Sequence, residues 1–121
     1  MKVAIIGASK DRHKYSNKAV RAYLKEGHVV YPVNPNEKRI EGLECYPSVI
    51  QINDEIDIAS IYVPPVVGEK IVNDIIIKKI KTVILNPGTD SEKIIEKLKY
   101  NNIKAELKCS IWAIGIDPKE I

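Results

Sequence analysis

The sequence predicts an α/β fold, an open parallel sheet of five strands with helices on both faces. Five short runs rich in Val and Ile alternate with segments whose apolar residues recur at helical spacing. The runs are almost continuously apolar rather than alternating, as strands are when both faces of a parallel sheet are covered.

The first run, VAIIG from Val3, is the first strand. Ala19, Val20, Tyr23 and Leu24 then mark a one-sided helix that starts at Ser16 or Asn17 and stops at Gly27, a polar start and a glycine end. HVVYPV from His28 is the second strand. The following NPNEKRIEGLECYPSVIQINDE lacks a long helical pattern and is expected to hold a tight turn and one short helix near Ser48 to Ile52. IDIASIYV from Ile56 is the third strand, and Val67, Ile71, Val72, Ile75 and Ile76 give a second helix with Pro65 in its first turn. TVILN from Thr82, a helix through Ile94, Ile95 and Leu98 that starts near Asp90 or Ser91, and IKAEL from Ile103 complete the pattern. The arrangement is Rossmann-like, with an expected strand order of 3-2-1-4-5. The tail SIWAIGIDPKEI is apolar and either packs over the sheet edge or pairs with another subunit, as a homo-oligomer or with a partner enzyme.

A chain of 121 residues, 45% hydrophobic, fits one domain over residues 1 to 121. A net charge of +3 is too small for a wide basic face, and the acidic stretch Asp54 to Asp57 interrupts any such face, so no nucleic-acid partner is expected. Cys45 and Cys109 are the only cysteines and read as free thiols, with no cluster at metal-ligand spacing. No apolar run approaches the roughly 20 residues of a spanning helix, and the run in MKVAIIGASK is short for a signal peptide. A cytoplasmic protein without a membrane partner is the expectation.

Open parallel sheets bind ligands beyond the carboxyl ends of their strands. The segments to search are Gly7 to Asn17, Val33 to Lys38, Tyr62 to Val67, Asn86 to Thr89 and Lys108 to Ser110. In the first, Gly7, Ala8 and Ser9 are small enough for backbone N–H groups to approach an anion at a helix start. Lys10, Arg12, Lys14, Lys18, Arg21 and Lys25 face only Asp11 and Glu26 there, which points to a phosphate-rich ligand. Arg12 and Lys14 are closest to the mouth, whereas Lys18, Arg21 and Lys25 read equally well as a solvated helix face. A dinucleotide fingerprint would want glycine at Ser9 and Arg12, and an acid where the second strand ends in Val33, Asn34 and Pro35; neither is present. VNPNEK and LNPG are turns as well as candidate walls, and YVPP is a stiff apolar lip at a strand end.

Taken together, VAIIGAS with YSNKAV, VNPNEKRIEGLECYPSV and YVPP resemble the small coenzyme A-binding proteins, which share their fold with the N-terminal part of succinyl-CoA synthetase alpha subunits. The likeness spans most of the chain, and the second block is its most specific part. It implies that Gly7, Ser9, Ser16 and Asn17 hold phosphate groups and that Pro35 and Lys38 lie beside the nucleotide. Tyr62, Val63 and Pro64 would line the site, and Asn86, Pro87 and Gly88 would close it. Ala8, Arg12, Tyr15, Val33 and Asn34 complete the candidate set. The implied ligand is coenzyme A or an acyl-CoA, whose diphosphate and ribose 3′-phosphate match basic side chains without an acidic ribose clamp. The DRHK tip of the first loop and LNPGTDSE depart from the family's usual pattern.

No Ser-His-Asp arrangement or carboxylate pair can be assigned. His13 lies in the first loop, and His28 opens a strand and reads as structural. The resemblance implies binding rather than ligase chemistry, because the synthetase carries its phosphorylated His in a second domain with no counterpart in these residues. Cys109 ends the fifth strand and reads first as a small hydrophobe, second as a thiol that could exchange with the coenzyme. The alternative from another class is an NAD(P)-binding oxidoreductase or redox sensor with a degenerate phosphate loop.

Overall fold

The computed structural model describes residues 1–121. Five parallel strands form the main sheet: β1 (Lys2–Ile6), β2 (Val29–Val33), β5 (Ile58–Ile61), β6 (Thr82–Leu85) and β7 (Lys104–Leu107). Between β2 and β5 lie the hairpin strands β3 (Arg39–Ile40) and β4 (Leu43–Glu44), then a single 3-10 turn at Val49–Gln51, where a short helix was expected. The helices are α1 (Tyr15–Lys25), α2 (Pro65–Lys78), α3 (Glu92–Tyr100) and a short α4 (Ser110–Ala113) in the tail.

The sheet order is β2-β1-β5-β6-β7. Numbering the five main strands along the chain, this is 2-1-3-4-5 rather than the expected 3-2-1-4-5, because β5 pairs with β1 and not with β2. The reason is Pro32, which sits opposite Ile5 in the β1–β2 register. Its carbonyl points away from β1, where it accepts from the Tyr46 N–H (3.0 Å), so the missing proline N–H also faces the outer side of β2. Proline with its donor side outward makes an edge strand. The third main strand therefore crosses to the far side of β1, and Tyr46 covers the free edge through a single bridge to Val33.

Apolar side chains lie on both sheet faces in two clusters. One joins Ile6, Ile61, Leu85, Ile75, Ile94 and Leu98 under α2 and α3. The other joins Val3, Ile5, Val20, Tyr23 and Ile111 under α1 and α4. Part of the apolar tail packs within the chain, with Ile111 fully buried and Lys18 Nζ donating to the Pro118 carbonyl at 2.7 Å, while Trp112 is left exposed. Helix α3 starts where the sequence indicated, with Ser91 Oγ accepting from the Ile94 N–H at 3.2 Å. Helix α2 opens on Pro65 with Pro64 as its cap residue.

Candidate functional site at the carboxyl ends of the strands

Strands β1 and β5 lie side by side, but the chain leaves β1 for one face through α1 and leaves β5 for the other through α2. This divergence is the switch point at which open α/β sheets form a crevice. Gly7 occupies it with φ +88°, and a Cβ there would stand 2.8 Å from Val63 Cγ1. The Gly7 and Ala8 N–H groups both donate to the Val33 carbonyl, at 2.9 and 3.2 Å. Asn34 Nδ2 in turn donates to the Ala8 carbonyl at 2.8 Å. Val33 and Asn34 therefore hold the first loop in place.

Beyond Ala8 the loop is shaped by its own polar side chains. Ser9 Oγ accepts from the Asp11 N–H, and Asp11 Oδ1 from the His13 N–H, each at 3.0 Å. Asn17 is completely buried; its Nδ2 donates to the Ser9 carbonyl at 2.8 Å, and its Oδ1 accepts from Arg21 Nε at 2.8 Å. Arg21 also donates to the Arg12 carbonyl at 2.9 Å. The amide of Asn17 is thus engaged inside the protein, and what faces the crevice is the start of α1. Lys14 stands at the cap position with no side-chain cap bond, and the first turn carries no acid. An uncapped helix start of this kind offers N–H donors and positive partial charge to an anion. Ser16 is buried in that first turn and Tyr15 is exposed beside it.

Basic groups surround this point. Lys10 Nζ lies 2.9 Å from Glu37 Oε2, and Arg12 Nε lies 3.5 Å from Glu41 Oε2. Glu37 Oε2 is sealed from solvent with no aligned hydrogen bond, so the Lys10 contact is one of charge. Glu41 sits at the tip of the β3–β4 hairpin with φ +50° and also accepts from Asn17 Nδ2 at 3.1 Å. The second loop and the hairpin thereby hold two cations of the first. Lys38, exposed in the second loop, and Lys14 take part in none of the six ion pairs.

Two cavities flank the Gly7–Val63 contact. On the α2 side, about 200 Å³ is lined by Gly7, Val33, Pro35, Ser48, Val63 and Val67. On the α1 and α4 side, about 340 Å³ is lined by Tyr15, Tyr62, Asn86, Pro87, Cys109 and Trp112. A larger groove between α2 and α3, about 680 Å³, lies away from the strand ends. Pro64 and Gly88 are exposed, at the mouths of the third and fourth loops.

Beneath the second cavity runs a buried polar network. Asn86 Nδ2 donates to Ser60 Oγ (2.9 Å) and to the Ile61 carbonyl (2.8 Å), while its Oδ1 accepts from the Ser110 N–H (2.8 Å). The Ser60 and Ser110 hydroxyls meet at 2.5 Å, and the Tyr23 hydroxyl donates to the Ser110 carbonyl at 2.8 Å. Asn86 therefore braces the strand ends with a fully occupied amide. The Tyr62 hydroxyl is sealed beside this network without a partner, and burial drives its pKa well above the usual tyrosine range. Cys109 is half-buried and, like the buried Cys45, a free thiol. His28 accepts from the N-terminal amine at 3.2 Å and packs on Tyr23, a structural place.

Sequence reasoning passed over Glu41, Ser60 and Trp112, and named Ser110 only as the end of a loop to search. A turn glycine after Glu41 and the lone Trp in an apolar tail were the only signals available. The donor set suits a polyanion with an apolar arm: an uncapped helix start, the cations Lys10, Arg12, Lys14 and Lys38, and the apolar lip Val63 and Pro64.

The chain resembles known proteins over most of its length. It is 34% identical over 110 residues to the ADP-forming acetate–CoA ligase of Methanocaldococcus jannaschii, covering 84% of this chain but only 16% of the ligase. It superimposes on a conserved hypothetical protein from Pyrococcus furiosus with TM-score 0.83 and 36% identity, covering 87% of this chain and 90% of the other. The dinucleotide-forming acetyl-coenzyme A synthetase 1 of Candidatus Korarchaeum cryptofilum, solved with phosphate and ADP, gives TM-score 0.77 and 27% identity over 86% of this chain and 25% of that one. The profile described as "CoA binding domain" matches residues 1–114, and on that match the chain belongs to the CoA-binding domain family.

Proposed function

We propose that the chain, as one domain over residues 1–121, binds coenzyme A or an acyl-CoA across the carboxyl ends of β2, β1, β5 and β6. It does so as a binding, carrier or sensor module, alone or beside a partner enzyme subunit, rather than as a catalyst. The uncapped start of α1 over the Gly7–Ala8–Ser9 turn carries the reading, since it places N–H donors among basic side chains at the switch point. Gly7, Ser9 and Ser16 border the diphosphate position there, and Asn17 fixes the loop around it. Pro35 and Lys38 lie on the nucleotide side. Tyr62, Val63 and Pro64 form the middle wall, and Asn86, Pro87 and Gly88 the far one. Coenzyme A, when bound, supplies the thiol that carries acyl groups; the chain's own residues hold and orient it.

A thermal-shift titration tests this. Coenzyme A or acetyl-CoA raises the melting temperature, while NAD, NADP and ATP at equal concentration raise it little. Equal shifts for all five compounds, or none with coenzyme A, would overturn the reading.

A further inference from the structure

We infer that Glu41, at the tip of the β3–β4 hairpin, is a positioning residue that holds the Arg12 guanidinium ready for a phosphate group of the ligand; this rests on the coenzyme reading above. Ile40 pairs with Leu43, so Glu41 and Gly42 alone make the turn, with φ +50° and +77°. A two-residue hairpin turn with both φ positive favours Asn, Asp or Gly at its first place. Glutamate there is strained, and a strained residue points to a use outside its own turn.

That use lies in the first loop. Glu41 Oε2 accepts from Asn17 Nδ2 at 3.1 Å and lies 3.5 Å from Arg12 Nε, with its side chain only 22% exposed. Asn17 Oδ1 accepts from Arg21 Nε at 2.8 Å, and Arg21 Nη2 donates back to the Arg12 carbonyl at 2.9 Å. Glu41, Asn17, Arg21 and Arg12 thus close a ring that grips Arg12 by both its main chain and its side chain. Asn17 is fully buried, so the ring is anchored in the protein although Arg12 itself is exposed. An aspartate or asparagine at position 41 suits the turn but is one methylene shorter, and its oxygen would leave hydrogen-bond range of Asn17.

The form of the contact says what remains for a ligand. Arg12 approaches Glu41 edge-on through Nε, and its side chain is 63% exposed. The Nη1 and Nη2 fork, which binds phosphate oxygens in pairs, is left to an anion. Lys10 differs, because its single nitrogen is set against Glu37 Oε2 at 2.9 Å. The Glu41 carboxylate also repels an incoming phosphate, so its benefit lies in order: an arginine already fixed loses less side-chain freedom on binding.

Calorimetric titration of the full chain with coenzyme A tests this as a double-mutant cycle over Glu41→Asn and Arg12→Ala. Asn-Gly is the favoured pair for this turn, so relief of strain offsets the lost bond to Asn17 and the unfolding midpoint moves little. Coenzyme A affinity falls about fivefold in Glu41→Asn, but less than about twofold when the same change is made in Arg12→Ala. Glu41→Gln keeps the length and an acceptor for Asn17, and stays within about twofold of the parent. A merely structural Glu41 would weaken both backgrounds alike. Losses of equal size in the two, or an affinity unchanged or raised in Glu41→Asn, overturn the positioning role and leave the coenzyme reading standing. Failure of coenzyme A to bind the parent chain overturns both.

Discussion

Gly7 and Val63 meet so closely that a Cβ on Gly7 would lie 2.8 Å from Val63 Cγ1 and 3.2 Å from the carbonyl carbon of Tyr62. The contact is where the two halves of the sheet diverge, and it keeps the first and third loops at one fixed spacing. Gly7→Ala must both tolerate φ +88° and push the third loop away. The expected cost is about 3 kcal/mol, summed from left-handed strain and overpacking. Urea unfolding measures it, and a loss below about 0.5 kcal/mol would mean that the loop gives way freely.

Asn86 satisfies Ser60, the Ile61 carbonyl and the Ser110 N–H at once. Asn86→Ala leaves several of these groups buried and unpaired, so a destabilisation of about 3 kcal/mol is expected. Coenzyme A affinity falls as well, because the ends of β5 and β6 lose their common brace. A variant of unchanged stability would show that water replaces the amide without cost.

Arg12 and Lys38 are cationic side chains at the first and second loops, and Arg12 is held within 3.5 Å of Glu41. If either holds the ribose 3′-phosphate, its replacement by Ala weakens coenzyme A by about tenfold and 3′-dephospho-coenzyme A by about twofold. Direct titration of both ligands checks this, and equal losses reassign the side chain to the diphosphate.

Asp54 accepts from Lys2 Nζ at 2.8 Å and from the Tyr31 hydroxyl at 2.5 Å. Lys2 first and Tyr31 second hold its carboxyl down to about 2, from 3.8. The unfolded chain therefore binds more protons than the folded one between these values, and stability rises with pH there. The contribution is complete above about pH 4 and is lost as pH falls toward 2. Tyr31 runs the other way: its hydrogen bond to Asp54 pushes it up to about 12, so its contribution is complete below about pH 10 and lost as pH climbs through 12. Asp54→Asn flattens both limbs of a plot of unfolding free energy against pH. Limbs identical to those of the parent chain would refute the assignment.

Much of the fold was legible because strands buried on both faces write themselves as continuous runs. VAIIG and TVILN read as strands on that ground, and the polar pair Asp90 and Ser91 marked the start of α3, where Ser91 is the residue that caps it. The strand order was not read, although Pro32 carried it: a proline within a strand run leaves a gap in one ladder, but which neighbour that gap excludes depends on where β5 goes. The first loop was legible as a basic, small-residue loop at the end of β1, but the donation of its Gly7 and Ala8 N–H groups to the Val33 carbonyl was not. The engagement of Asn17 with Ser9 and Arg21 was not, since a buried amide and an exposed one look the same in a sequence.

By itself, the sequence determined an α/β sheet with crossover helices, a basic small-residue loop at the end of its first strand, and the motifs that resemble coenzyme A-binding proteins. These follow from local patterns, where periodicity and residue size act over a few neighbours. The tertiary structure alone decided what meets at the strand ends: Ser60 with Ser110, Asn86 between them, Glu41 against Arg12, and Tyr15 beside the same cavity as Trp112. Ser60 and Ser110 are 50 residues apart, and Tyr15 and Trp112 are farther apart still in the chain. Such contacts arise only when parallel strands in a set order bring distant loops to one edge, and that order was fixed by a missing donor on Pro32 together with the burial of β5 between β1 and β6.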